Sequence, residues 1–188
     1  MLNLLFKNIK IRFLQGIFDS ELSNITRIKN KSAYQSLKFY HCKIIDKTDD
    51  GIFFLNQIKK LLKDFGIITS KISLDRKYTR SRDNLELQQL YFVIYANYIN
   101  LYNFIIKIGF LYNSKRRMSA LVALRSIESL ASLEEKKIRD YPKVIRLKEN
   151  GWSSYKIAKK LGLRNHIVKQ WLFYKTKPRL YKYRINNS

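Results

Sequence analysis

Phe13-Leu14-Gln15-Gly16-Ile17-Phe18-Asp19-Ser20-Glu21 reads as the end of an apolar helix, with one small residue, Gly16, at its middle and two acids, Asp19 and Glu21, at its close. Glycine in a helix interior costs roughly 1 kcal/mol relative to alanine, and close approach of a second helix is the usual compensation. Carboxylates at the C-terminal end of a helix face the negative pole of its dipole and also need compensation, most simply from a bound cation. Together the two features imply a helix pair that presents acids to a metal at its foot.

Working outward, the composition points to a polyanionic partner. The 188 residues hold 38 Lys and Arg against 14 Asp and Glu, a formal charge of +24. That charge is spread along the whole chain and repels itself unless something neutralises it; nucleic acid is the leading candidate, and a lysine-biased, AT-rich genome is the alternative source of the bias. The single cysteine, Cys42, excludes an intrachain disulfide and a thiolate zinc cluster, which points to an intracellular reducing compartment, cytoplasmic and nucleoid-associated or other. No apolar run approaches a membrane span, and residues 1–6 are followed too soon by Lys7, Lys10 and Arg12 to read as a signal peptide, so no membrane is expected as a partner.

The first helix is expected over 2–19. Weak alternation at 24–29, a turn at Asn30-Lys31 and the aromatic run 33–42 predict a β-hairpin. Asp49-Asp50-Gly51 punctuates the chain before a second helix over 52–65, closed by Gly66. Strands at 67–77 and 87–95 follow, then a helix ending at Gly109 and another over 114–139 with Leu121, Leu124, Ile127 and Leu130 on one face. This order predicts an α+β fold, an antiparallel four-stranded sheet with helices on one face and the other face free. Arg27, Lys29 and Lys31 share one parity in the first strand, Lys38 and Tyr40 continue it, and Lys71 and Ser73 repeat it, giving a polar, basic surface suited to a duplex groove or, in the bland reading, a solvated outer face.

Phe13 to Glu21, Phe65-Gly66-Ile67, Asn97 to Phe104, and Ile108-Gly109-Phe110 with Lys115 and Leu121 together resemble the LAGLIDADG (dodecapeptide) homing endonucleases, over roughly residues 5 to 125. The resemblance implies an αββαββα half, residues 1–127, whose motif helix packs through Gly16 against its twin in a homodimer and whose sheet lies on double-stranded DNA. It implies that Glu21, the last acid of the motif, is catalytic and binds Mg²⁺ (or Mn²⁺), and that Lys115 stabilises charge or orients the attacking water. Asp19 reads as structural or capping. The family has glycine after the final acid; Leu22 stands there instead, and because leucine disfavours a positive φ the acid is expected to be displaced.

After a helical linker over 128–140, composition shifts. Residues 141–188 hold 13 Lys and Arg against one acid, Glu149. Pro142 is expected to start a helix that Gly151 ends. Ser153 to Leu163 and Ile167 to Leu172 then fit a helix-turn-helix: Ala158 where the helices touch, Gly162 at the turn, Val168 as the apolar anchor. In that reading Arg164, Asn165, His166, Lys169 and Gln170 face the major groove, where Arg reads guanine and Asn or Gln reads adenine, while Lys175, Lys177 and Arg179 hold phosphates. The expected function is site-specific hydrolysis of duplex DNA. The alternatives are a cleavage-inactive transcription regulator on the same scaffold and, more weakly, an intron RNA maturase.

Overall fold

The computed structural model describes residues 2–29 and 34–178. Two compact units divide the chain, 1–125 and 126–188. The order is α1 (Leu2–Glu21), β1 (Leu37–Ile44), α2 (Thr48–Asp64), β2 (Ser73–Arg80), β3 (Leu85–Ile94), α3 (Tyr98–Lys107), α4 (Ser114–Glu149), α5 (Ser154–Leu161) and α6 (Asn165–Phe173), with a 3-10 turn at Ile45–Lys47. The fold is α+β. Among the described residues no helix is long and apolar enough to cross a membrane.

The sheet of the first unit is antiparallel, with β3 central and the order β1-β3-β2. Leu37 pairs with Ile94 and Phe39 with Phe92, so their side chains fall on one face, and all four are buried. Phenylalanine rings then carry the core from sheet to helices: Phe92 to Phe39 at 5.4 Å between centroids, Phe39 to Phe18 of α1 at 5.5 Å, Phe18 to Phe104 of α3 at 5.7 Å, and Phe104 to Phe110 at 5.5 Å. Each contact of this kind adds about 0.5–1.5 kcal/mol beyond the area it buries.

Among the described residues the sheet has three strands, not the expected four. Residues 22–27 run alongside 34–39 in a single antiparallel register but touch it at only two bridges, Leu22 with Phe39 and Arg27 with Tyr34. Ser23 accounts for part of the interruption, because its Oγ takes the Lys38 amide at 3.0 Å in place of a ladder carbonyl. The expected strand at 67–77 starts only at Ser73, and its ladder to β3 shifts register between Leu74 and Lys77. Such a bulge breaks the period-two pattern on which a parity argument rests.

Helix α2 starts at Thr48, so Gly51 lies inside it and does not punctuate it. The reason is steric: a Cβ at Gly51 would stand 2.5 Å from Leu90 Cδ1 and 2.8 Å from Lys43 Cγ, so glycine lets the helix settle onto the sheet. At its other end α2 is tied to α3. Lys107 donates to the Phe65 carbonyl at 3.0 Å, Asn103 to the Gly66 carbonyl at 3.2 Å, and buried Asn100 accepts from the Ile68 amide while donating to the Ile68 and Tyr95 carbonyls.

Helix α4 runs unbroken through 36 residues, with Pro142 inside it and not at a start. An interior proline forfeits one helical hydrogen bond and costs about 3 kcal/mol. Apolar packing on both sides of Pro142 offsets that cost, since Val144 is fully buried and Tyr141 and Leu147 join the core of the second unit. The first half of α4 buries Ala120, Ala123 and Ile127; Ile127 belongs to the expected stripe, whereas Leu121 is turned outward. In the second unit α5 and α6 close on Ile157, Ala158, Val168 and Trp171. Gly162 takes φ +60° between them, and Ser153 caps α5 by accepting from the Lys156 amide.

Gly51 and Gly16 make a matched test. Gly51→Val is expected to lower stability by about 2 kcal/mol through overpacking, whereas Gly16→Ala, with nothing within 4 Å of its Cβ, raises the stability of an isolated protomer by up to about 1 kcal/mol. Urea denaturation of dilute protein measures both.

Candidate active site and nucleic-acid interface

The end of α1 and the start of α4 hold one another. The Asp19 carboxylate accepts from three successive backbone amides, Leu111 at 3.0 Å, Tyr112 at 2.6 Å and Asn113 at 3.3 Å. In return the Arg116 guanidinium donates to the carbonyls of Phe18 at 2.8 Å, Asp19, and Ser20 at 3.3 Å, acceptors at the C-terminal end of α1. Asn113 caps α4 by accepting from the Arg116 amide at 3.0 Å. The compensation that the sequence leaves to a bound cation is therefore supplied to Asp19 from within the chain.

Glu21 stands apart from this clasp. It is exposed at the last residue of α1, and its carboxylate makes no hydrogen bond or ion pair among the described residues. Its field reaches the His41 imidazole on β1, which stacks on Phe54 at 4.9 Å. Burial, then Lys43, hold the His41 pKa below its ordinary value, and Glu21 opposes them more weakly. Leu22 does not force the strain its side chain suggests. Its φ is not positive, its amide still bonds the Phe18 carbonyl at 3.2 Å, and its side chain is fully buried.

Lys115 is exposed on the first turn of α4 and is not brought to Glu21 by any hydrogen bond or ion pair. Its neighbour Arg116, which the sequence reading passed over, reaches α1. The signal was present: a cation in the first turn of a helix opposes that helix's dipole and needs acceptors nearby, just as Asp19 needs donors.

Gly16 lies on an outward stripe of α1 with Phe6, Ile9 and Phe13, which are 55%, 56% and 45% exposed. These positions recur at the three-and-four spacing of one helical face, opposite the buried Leu14 and Phe18. The helix is apolar on two sides. Among the described residues of the first unit, only one of them is covered.

The outer face of the sheet carries Lys38 and Tyr40 from β1, Gln89 and Tyr91 from β3, and Tyr78 from β2. Lys38 stands over the Tyr91 ring at 5.3 Å, Tyr40 and Tyr91 face one another across the strands at 5.7 Å, and Arg76 donates to Gln89 at 3.2 Å. Tyr78 donates to the Cys42 thiol at 3.4 Å, an interaction that raises the phenol pKa. Of the positions expected here, Lys38 and Ser73 fall on strands, Lys71 is exposed just before β2, Arg27 and Lys29 are exposed on the irregular segment, and Lys31 lies outside the described residues. Arg76, Gln89 and Tyr91 were missed, the first because the register shift in β2 reverses parity.

On α6, His166, Lys169 and Gln170 are exposed on one face, Arg164 occupies the N-cap position, and Asn165 is turned aside with a buried, unpartnered Oδ1. Lys175 and Lys177 follow, exposed, and Arg179 lies outside the described residues. No protein-family model matches the chain, and neither a curated protein nor a solved structure matches it.

The two acids should separate cleanly in a stability measurement. Asp19→Ala strips an anion from three amides and is expected to cost about 2–3 kcal/mol in equilibrium unfolding, while Glu21→Ala changes stability by less than about 0.5 kcal/mol. Equal costs would show that both carboxylates are structural.

Proposed function

We propose that the chain is a homodimeric, site-specific double-stranded DNA endonuclease on a LAGLIDADG-like αββαββα scaffold, with a helix-turn-helix that extends the recognised site. The observation that carries the reading is the division between the acids at the foot of α1: Asp19 is saturated by three amides, and Glu21, two residues on, has no polar partner among the described residues. An exposed carboxylate left without a structural task is what a metal-dependent hydrolase needs. The irregular segment 22–27, in register beside 34–39, supports the four-strand scaffold in frayed form.

Glu21 fits a divalent cation as one ligand of several. Among the described residues no three His, Cys, Asp or Glu side chains gather to hold a metal, so the remaining ligands come from phosphate oxygens, water and the second protomer's acid. Bound there, Mg²⁺ or Mn²⁺ would polarise the scissile phosphate and lower the pKa of an attacking water. The chain's own part is to fix Glu21 through the Asp19–Arg116 clasp, to offer the Gly16 face to its twin, and to present a basic, aromatic sheet face and α6 to the duplex. Lys115, one residue before the clasp arginine, is free to stabilise phosphate charge.

A cleavage-inactive DNA-binding regulator is the second reading, favoured by leucine at position 22 where the scaffold ordinarily has glycine. Incubation with a supercoiled target library and Mg²⁺ separates the two. Wild type is expected to linearise a subset of plasmids, and Glu21→Gln to cut about 100-fold or more slowly while still binding them. Gly16→Glu is expected to sediment as a monomer and lose cutting. Sequence-specific binding with no metal-dependent cutting by wild type would establish the regulator instead.

A further inference from the structure

We infer that Phe173 is a base-reading residue, packing against the 5-methyl group of a thymine while Gln170, one turn earlier, takes an adenine within two base pairs of it. The inference rests on the DNA-binding reading of the second unit and adds to it a residue and a base identity.

Phe173 is the last residue of α6 and is 63% exposed. It lies three and seven residues beyond Gln170 and His166, so with Lys169 the four side chains share one face of the helix. The opposite face is used up: Val168 and Trp171 are buried, and Ile167 and Leu172 pack on the same core. Phe173 therefore lies outside the core of the unit, and it occupies the outward face with most of an aromatic ring.

The surroundings of that ring decide its partner. Helix α6 carries no acid, Lys169, Lys175 and Lys177 are exposed near it, and residues 141–188 hold 13 Lys and Arg against Glu149 alone. An apolar protein surface docked on Phe173 would strip water from Lys169 and His166 and return no anion. A duplex returns phosphates to the lysines, and its major groove presents one apolar group on the base edges, the thymine methyl. At 1.5 Å per residue, His166 to Phe173 spans about 10 Å, or about three base-pair steps. Gln170 and Phe173, neighbours on the helix surface, then reach bases one or two steps apart. A glutamine reads adenine by two hydrogen bonds, which fixes the second half of the assignment.

The test uses the full chain. A duplex library is selected for binding, and each thymine of the preferred sequence is replaced singly by deoxyuridine, which lacks only the methyl group. At one thymine, within two base pairs of an adenine, loss of the methyl is expected to weaken binding by about fourfold, the effect of exposing one buried methyl. Phe173→Ala is expected to bind the two duplexes equally well, at about the affinity of wild type for the deoxyuridine duplex. Because Phe173 is exposed, the variant folds, which circular dichroism verifies. Specific binding with no deoxyuridine-sensitive position, or a Phe173→Ala protein that still discriminates thymine from deoxyuridine, overturns the inference and leaves DNA binding intact. A Phe173→Ala protein changed in sedimentation but not in base preference assigns the ring to a second copy and equally overturns it. Absence of any sequence preference removes the DNA-reading role of α6, and this assignment with it.

Discussion

The exchange of groups between α1 and the start of α4 fixes how the end of α1 is held in the first unit. A helix leaves carbonyls unpaired at its C-terminus and amides unpaired at its N-terminus, and charges of the wrong sign sit badly at each. Here the misplaced acid of one helix and the misplaced cation of the other cancel by crossing over. Asp19 takes the amides of 111–113, and Arg116 takes the carbonyls of 18–20. Each hydrogen bond to a charged group is worth about 1.5–3 kcal/mol against its loss, and six together hold the end of α1 in one orientation. That orientation sets which of the two acids is consumed and which faces out.

With its end clamped, α1 can show only one side to the core. Phe18 enters the phenylalanine chain between sheet and α3, Leu14 and Leu22 are buried beside it, and Phe6, Ile9 and Phe13 are left on the far side. Covering a large apolar side chain contributes about 1.5–3 kcal/mol, so three half-exposed residues are a substantial incentive to association. Gly16 sits on that same stripe with open space around it. A bulky residue there would hold an approaching helix off; a glycine lets backbones come close enough for the flanking aromatics to interlock. The helix-interior penalty of Gly16 is thus not repaid by any contact among the described residues, which is the ground for the proposed pairing of protomers.

Elements governed by local periodicity were legible in the sequence. The α2 stripe Leu55, Ile58 and Leu62 and the Ser153-to-Trp171 helix pair follow from spacing and caps, and they form where the pattern puts them. Features decided by tertiary contact were not. Nothing near Gly51 in sequence announces Leu90 or Lys43, whose closeness is what requires a glycine. Pro142 is a start signal by every local rule, and it is overruled by core packing on both sides of it. The bulge in β2 is set by its pairing with β3, so the parity that placed Lys71 on the outer face could not place Arg76 there. At the site, the acids were legible and Arg116 was masked by its run: with three adjacent basic residues, spacing does not say which one is committed.

That ambiguity bears on how the chain divides its charge. Most of the excess of 24 positive charges is exposed lysine, which on the proposed reading would neutralise phosphates without regard to sequence and release counterions in doing so. Such binding is strong at low salt and indifferent to site. On the proposed DNA-binding reading, discrimination would come from the few places where cations are mixed with groups able to read base edges: Gln89 and Arg76 among tyrosines on the sheet, and Gln170 beside Lys169 on α6. Two such surfaces joined in one chain would raise each other's effective concentration at a site that satisfies both, and not at a site that satisfies one. On the proposed reading the lysines alone would make the protein adhere to any duplex, and coupling the two surfaces would convert adhesion into choice.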